Sequence, residues 1–221
     1  MDPTILEQTE HYLALDKPAG LLSVPGVGPG KADCAIARVR AMIPSARGPM
    51  IIHRLDMETS GILLVAITPE GQRAMSGLFE RREVAKGYEA LLESPDAAVG
   101  GPPAASARML LPPRGEIQMN LRPNFEDRPR QMIDPVHGRF SRSRYEMLDA
   151  DRVRFEPVTG RSHQLRVHAA WGLGRPIAGD PLYGRRPAAA GAPRLMLHAT
   201  WLRFVDPFDG RERMIQSPCP F

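Results

Sequence analysis

The chain has 221 residues, with 29 Lys and Arg against 25 Asp and Glu, for a formal net charge of +4. That length can bury a full core, and 43% hydrophobic with 24% charged residues is a globular composition that excludes wholesale disorder. No run approaches the roughly 18 apolar residues of a membrane helix, and the start MDPTILEQTEHY lacks the basic and apolar regions of a signal peptide.

Residues 11–24 (HYLALDKPAGLLSV) read as two short apolar strands around a Lys-Pro-Ala-Gly turn. After a glycine-rich loop, Ala35, Ile36, Val39 and Met42 share one face of a helix predicted over 33–42, which Pro44 stops. A polar loop, HRLDMETSG, precedes 62–67, a run apolar at every position, as in a strand covered on both faces. Thr68 and Pro69 supply an N-cap and a first-turn proline for a helix reaching Arg82, with Ala74, Met75, Leu78 and Phe79 as its stripe. Residues 84–92 are again strand-like. From 94 to 140 prolines and glycines crowd in, which predicts an irregular insertion with two short strands near 105–111 and 116–121. Alternation returns at 142–147 and 152–156, the latter with Val153 and Phe155 inward. Ser162 is placed to cap a helix running to Trp171, and strands near 195–205 end the pattern. Strands dominate without alternating strictly with helices. The expected class is α+β, a mixed and mostly antiparallel sheet with flanking helices.

Cys34 and Cys219 lie far apart with no CxxC pair, which argues against a disulfide framework and makes a cytoplasmic protein the default. Lys17, Lys31 and Lys86 are the only lysines, so arginine carries nearly all the positive charge. Its planar fork suits phosphates and base edges, although a GC-rich coding bias accounts for the same count. Several sites are excluded. Gly26 and Gly30 are too close for a phosphate loop, and Ala32 stands where it needs Ser or Thr. There is no HExxH, no zinc-deaminase PCxxC and no GxSxG elbow.

Three polar blocks remain. His53-Arg54-Leu55-Asp56-Met57-Glu58-Thr59-Ser60-Gly61 lies directly before the buried strand, where a carboxylate is costly unless paired. On its own it reads first as a turn in which Asp56 and Thr59 cap the backbone and Gly61 takes a positive φ. In GRSHQLRVH, Arg166 falls one turn into the helix, placed to meet a buried carboxylate bidentately unless it is simply solvated. In KGYEA, Tyr88 is a strand tyrosine that core packing alone explains.

HRLD-x-x-TSG, K-x-Y-x-A, GRSHQLRVH and GDPLYG, in that order, with DKPAGL early and LHA late, resemble the RluA family of pseudouridine synthases over nearly the whole chain. The resemblance implies the pseudouridine synthase fold with a central catalytic cleft. The expected organisation is a single catalytic domain over 1–221. Many relatives carry an N-terminal S4-type RNA-binding domain, but here the catalytic pattern starts almost at residue 11, so none is expected. The resemblance also implies isomerisation of uridine in RNA without cofactor or metal: the N1–C1′ bond breaks, the base turns, and C5 bonds to C1′. The RNA partner would be 23S rRNA, the tRNA anticodon stem-loop, or both. By the same resemblance Asp56 is the catalytic carboxylate, Arg166 holds it ionised, and Tyr88 packs against the base and takes the C5 proton. Arg54 is the first candidate to fill the gap left by a flipped uridine, with His53, Lys86 and Arg161 as further RNA contacts. A monomer is expected, since no apolar helix or strand is left over for an interface, and no membrane association. The competing class is a non-catalytic RNA-binding module on the same fold; Asp56, Tyr88 and Arg166 together argue against it, since binding needs none of them in combination. A methyltransferase is weaker still, for want of a glycine fingerprint.

Overall fold

The computed structural model describes residues 2–28, 30–94, 112–185 and 192–221. Strands Thr4–Gln8 (β1) and Tyr12–Lys17 (β2) form an antiparallel hairpin. The second apolar piece, 21–24, is not a strand: only Leu22 bridges, to Cys34. The buried Lys17 ammonium gathers the carbonyls of Pro18 (2.9 Å) and Leu21 (2.8 Å), which holds this stretch as a turn. Helix α1 spans Ala35–Met42, capped by the Cys34 thiol, which accepts from the Ala37 N–H at 3.4 Å. Its buried face is Ala35, Ile36 and Val39, while Met42 stays exposed.

Strand β3, Ser60–Ala66, is buried at every position, as its unbroken apolar run predicts. Helix α2, Pro69–Arg81, starts as expected: the Thr68 hydroxyl accepts from Gly71 N–H at 3.0 Å, with proline in the first turn. Strands β4 (Ala85–Leu91), β5 (Arg114–Pro123), β6 (Gln131–Ile133), β7 (Arg139–Met147) and β8 (Arg152–Pro157) follow. In its described part, 112–140, the stretch expected to be an irregular insertion holds β5, β6 and the start of β7, and the strand expected near 116–121 is present as β5. Ile117 and Leu121 are both buried along β5, as a strand with one inward face requires, and β5 runs a few residues beyond the expected 116–121. The expected strand near 105–111 lies outside the described residues.

Helix α3 is only Gln164–Val167 and runs into a π-helical turn at His168–Gly172. Ser162 does not cap it. His163 occupies the cap position with a left-handed φ of 52° and no side-chain cap bond. The Gln164 amide anchors the entry instead, donating to the Arg142 carbonyl (3.0 Å) and Ser143 hydroxyl (2.9 Å) and accepting from Arg161 N–H (3.0 Å). Strands β9 (Leu197–Val205) and β10 (Glu212–Gln216) complete the set, β10 being unforeseen.

The chain divides into two compact units, Met1–Gly87 with His198–Phe221, and Tyr88–Leu197. In the first, β1, β2 and β3 pair antiparallel, β9 runs parallel to β3, and β10 pairs antiparallel with β9. Gly61 sits opposite Ala199 in that parallel pairing at φ +104°, and a Cβ there would lie 2.3 Å from the Ala199 carbonyl oxygen. Tyr12, Ile62, Leu64, Met75, Leu202 and Phe204 fill its core against α2. In the second unit, β4, β8, β7, β5 and β6 are neighbours in that order and all antiparallel. Leu92, Val153, Phe155, Leu165, Ile177 and Leu195 form its main core. The mixed, mostly antiparallel sheet is thus as expected.

Candidate active site

The candidate residues divide between the two units. Asp56 stands half-buried in the loop before β3, and the backbone on either side of it is clamped. The Ser23 hydroxyl donates to the Leu55 carbonyl (2.7 Å) and accepts from the Leu55 N–H (3.0 Å). On the other side, the Met57 carbonyl accepts from Lys17 Nζ (3.1 Å) and from Gly20 N–H (2.9 Å). A turn bond from Thr59 N–H to the Asp56 carbonyl (3.1 Å) closes the loop. A backbone turn and the positive φ of Gly61 are therefore both present. Neither Ser23 nor Lys17 was singled out by sequence. The signal for Lys17 is a lone lysine inside an apolar stretch, which must find acceptors once buried.

The loop's far end is tied by a chain of buried polar groups. Ser60 Oγ bonds His198 Nδ1 (2.9 Å), His198 Nε2 bonds Ser217 Oγ (3.0 Å), and Ser217 donates to Asp16 Oδ2 (3.0 Å). At its near end the His53 ring lies flat on Phe79 of α2, centroids 4.4 Å apart, and its Nε2 accepts the Leu64 N–H at 2.9 Å. Desolvation, and then the charge of Lys86, depress the His53 pKa to about 3. The ring is bound into the fold by both contacts, and burial disfavours its charged form. Lys86 Nζ stands 5.7 Å from the centre of the same Phe79 ring, its own pKa lowered by burial. Arg54 is exposed.

In the second unit Tyr88 lies on β4 opposite Phe155 and packs partly buried against the core. Arg166 is buried, and the carboxylate that meets its fork bidentately within this unit is Asp180: Nε to Oδ2 at 2.8 Å and Nη2 to Oδ1 at 2.6 Å. Asp180 also accepts the N–H groups of Leu182 (2.9 Å) and Tyr183 (3.1 Å). The Tyr183 ring lies 5.2 Å from the Arg166 guanidinium, and its hydroxyl accepts from Gln131 N–H (2.7 Å) and bonds His163 Nδ1 (2.8 Å). The GDPLYG segment thus holds the arginine of GRSHQLRVH, a pairing that the two motifs contain but do not announce. Arg161 is half-buried, with Nε donating to the Phe140 carbonyl at 3.1 Å. Among the described residues no group of three or more His, Cys, Asp or Glu could hold a metal ion.

A family model described as RNA pseudouridylate synthase matches residues 11–171, a span that enters both units. The dual-specificity RNA pseudouridine synthase RluA of Escherichia coli K12 is 37% identical over 98% of this chain and 93% of its own length. That of Haemophilus influenzae is 35% identical over 98% of this chain and 93% of its own. Among solved structures, human RNA pseudouridylate synthase domain containing 1 superposes with a TM-score of 0.74 at 27% identity, covering 100% of this chain and 84% of that one. No helix among the described residues is long and apolar enough to cross a membrane. By family model, end-to-end relatives and fold together, the chain belongs to the family of RNA pseudouridine synthases, the isomerases of uridine in RNA.

Proposed function

We propose that this chain acts on chosen uridines of 23S rRNA, of the tRNA anticodon stem-loop, or of both, with Asp56 as its catalytic carboxylate. The observation that carries the reading is the near-complete overlap with enzymes named for dual specificity, 37% identical over 98% of the chain. The clamp on Leu55 and Met57 supports Asp56 in particular: a reacting group held on both sides loses little entropy on reaching the attacking geometry. Ionised, the carboxylate either attacks the ribose or base or abstracts a proton; protonated, it does neither.

Arg166 serves to keep Asp56 ionised and aimed, and Asp180 fixes the arginine for that task. Tyr88 packs against the target base and takes the C5 proton. Arg54, exposed beside Asp56, fills the stack when the uridine leaves it, at a cost of a few kcal/mol for flipping. Lys86 and Arg161 hold neighbouring phosphates. Both units act as one catalytic domain, in the cytoplasm, as a monomer, without cofactor or metal.

The test is pseudouridine mapping of total RNA with and without the gene, then with Asp56→Asn in its place. The sites that vanish on deletion should stay unmodified with Asp56→Asn, activity falling roughly a thousand-fold or more while RNA is still bound. Parental activity in Asp56→Asn would leave only the RNA-binding module.

A further inference from the structure

The second unit contains a cavity of about 450 Å³ that no step above uses, walled by Trp171, Tyr183, Ile133, Gln131, Asn124 and Arg130. Trp171 is 54% exposed, unusual for the largest apolar side chain, and stands edge-on to Tyr183 at 77° and 5.5 Å. An uncovered indole at the rim of a concave wall is the surface a flat ligand completes.

The wall is built before any ligand arrives. Tyr183 is held through its hydroxyl by Gln131 N–H and His163, and its ring lies against the Arg166 guanidinium. Arg130 is fixed by its bonds to the Leu182 carbonyl (2.8 Å) and the Asp127 carboxylate (2.5 Å). Asn124 N–H closes the 124–130 loop on the Arg130 carbonyl at 2.9 Å. Within that loop the Arg128 guanidinium stands 5.1 Å over the 64%-exposed Phe125 ring.

Charge discriminates among ligands. Asp127 pairs with Arg130, and Glu126 offsets Arg128, so the 124–130 loop brings no net charge to draw a phosphate. What it offers is an aromatic face, an apolar floor at Ile133 and amide groups at the rim. A nucleobase has the matching character, uncharged and flat with a polar edge.

We propose that this cavity binds one unpaired nucleobase of the substrate RNA, stacked on Trp171, and so helps select which uridine is modified. The proposal rests on the RNA-modifying reading above and extends it to a second nucleotide. Stacking of a base on an aromatic side chain tolerates any base, so the site senses that a nucleotide is unpaired more than what it is.

The experiment uses unmodified tRNA and 23S rRNA transcripts with the parent, Trp171→Ala and Trp171→Phe. The alanine variant should raise KM about ten-fold, with kcat falling far less, by the same factor at low and high salt. The phenylalanine variant, which keeps a flat ring, should recover most of the loss. Indole fluorescence gives a reading independent of turnover. RNA should quench the parent and the Asp56→Asn variant alike, and quench Trp171→Phe much less, since Trp201 is the only other tryptophan. Parental KM for both transcripts in Trp171→Ala, or equal quenching of parent and Trp171→Phe, overturns the proposal. So does quenching by free nucleoside monophosphates as strong as that by RNA, which would mark a small-molecule site. Pseudouridine formed normally by Asp56→Asn would instead defeat the catalytic reading and leave the quenching result standing.

Discussion

Arg166 and Asp180 show what a buried charge demands. Their side chains are 3% and 0% exposed, so two full charges have left water. Attraction offsets that only when the remaining lone pairs and protons are also met. Asp180 meets the condition with two bonds from the guanidinium and two from the backbone N–H groups of its own turn. Asp180→Asn keeps the shape but removes the countercharge, and should cost about 3 kcal/mol of stability. A denaturant midpoint shifted by that amount, together with a fall in kcat, is the expected outcome; an unshifted midpoint would show that the pair is not a structural linchpin. Asp56 and Arg166 were both legible as members of motifs. That Asp180 takes the fork bidentately was not, because 14 residues of non-repeating chain separate them and no periodicity relates such positions.

At the scale of elements, Gly87 of β4 and Trp201 of β9 set a tight constraint. Gly87 stands where an added Cβ would lie 1.9 Å from Trp201 Nε1, so only a residue without one fits. Gly87→Ala should destabilise by about 2 kcal/mol through overpacking. In a double-mutant cycle, Trp201→Leu should return part of that loss, since it removes the opposing ring. Strictly additive losses would mean that the contact is not the cause. The same scale explains which elements could be read in advance. The apolar run of β3 and the Thr68-Pro69 start of α2 are local signals, and both elements form where predicted. Ser162 was the local candidate to start α3. It stays exposed because Gln164, four bonds deep in its surroundings, holds the turn from further along the chain.

For the whole molecule, histidine burial links stability to pH in both units. His53 in the first is depressed to about 3 by desolvation and then by Lys86, and His168 in the second to about 4 by desolvation, both from 6.5. The unfolded chain therefore binds protons that the folded chain refuses. Stability is complete above about pH 6.5 and falls as the pH drops toward 4. Urea midpoints at several pH values across that window should decline on acidification, and His168→Gln should flatten part of the slope. A midpoint indifferent to pH would contradict the burial of both rings.

Chain order alone carried the composition, the strand-dominated class and the motifs that identify the family. These depend on near neighbours: alternation, a capping pair, a run of apolar residues. Tertiary packing decided how the charges were placed. Lys17 gathers carbonyls around the Asp56 loop, Asp180 binds Arg166, and Trp171 is left uncovered at the mouth of a cavity. The division is physical. Propensity acts over a few residues, whereas a buried polar group is satisfied only by whatever the fold brings beside it, at any distance along the chain.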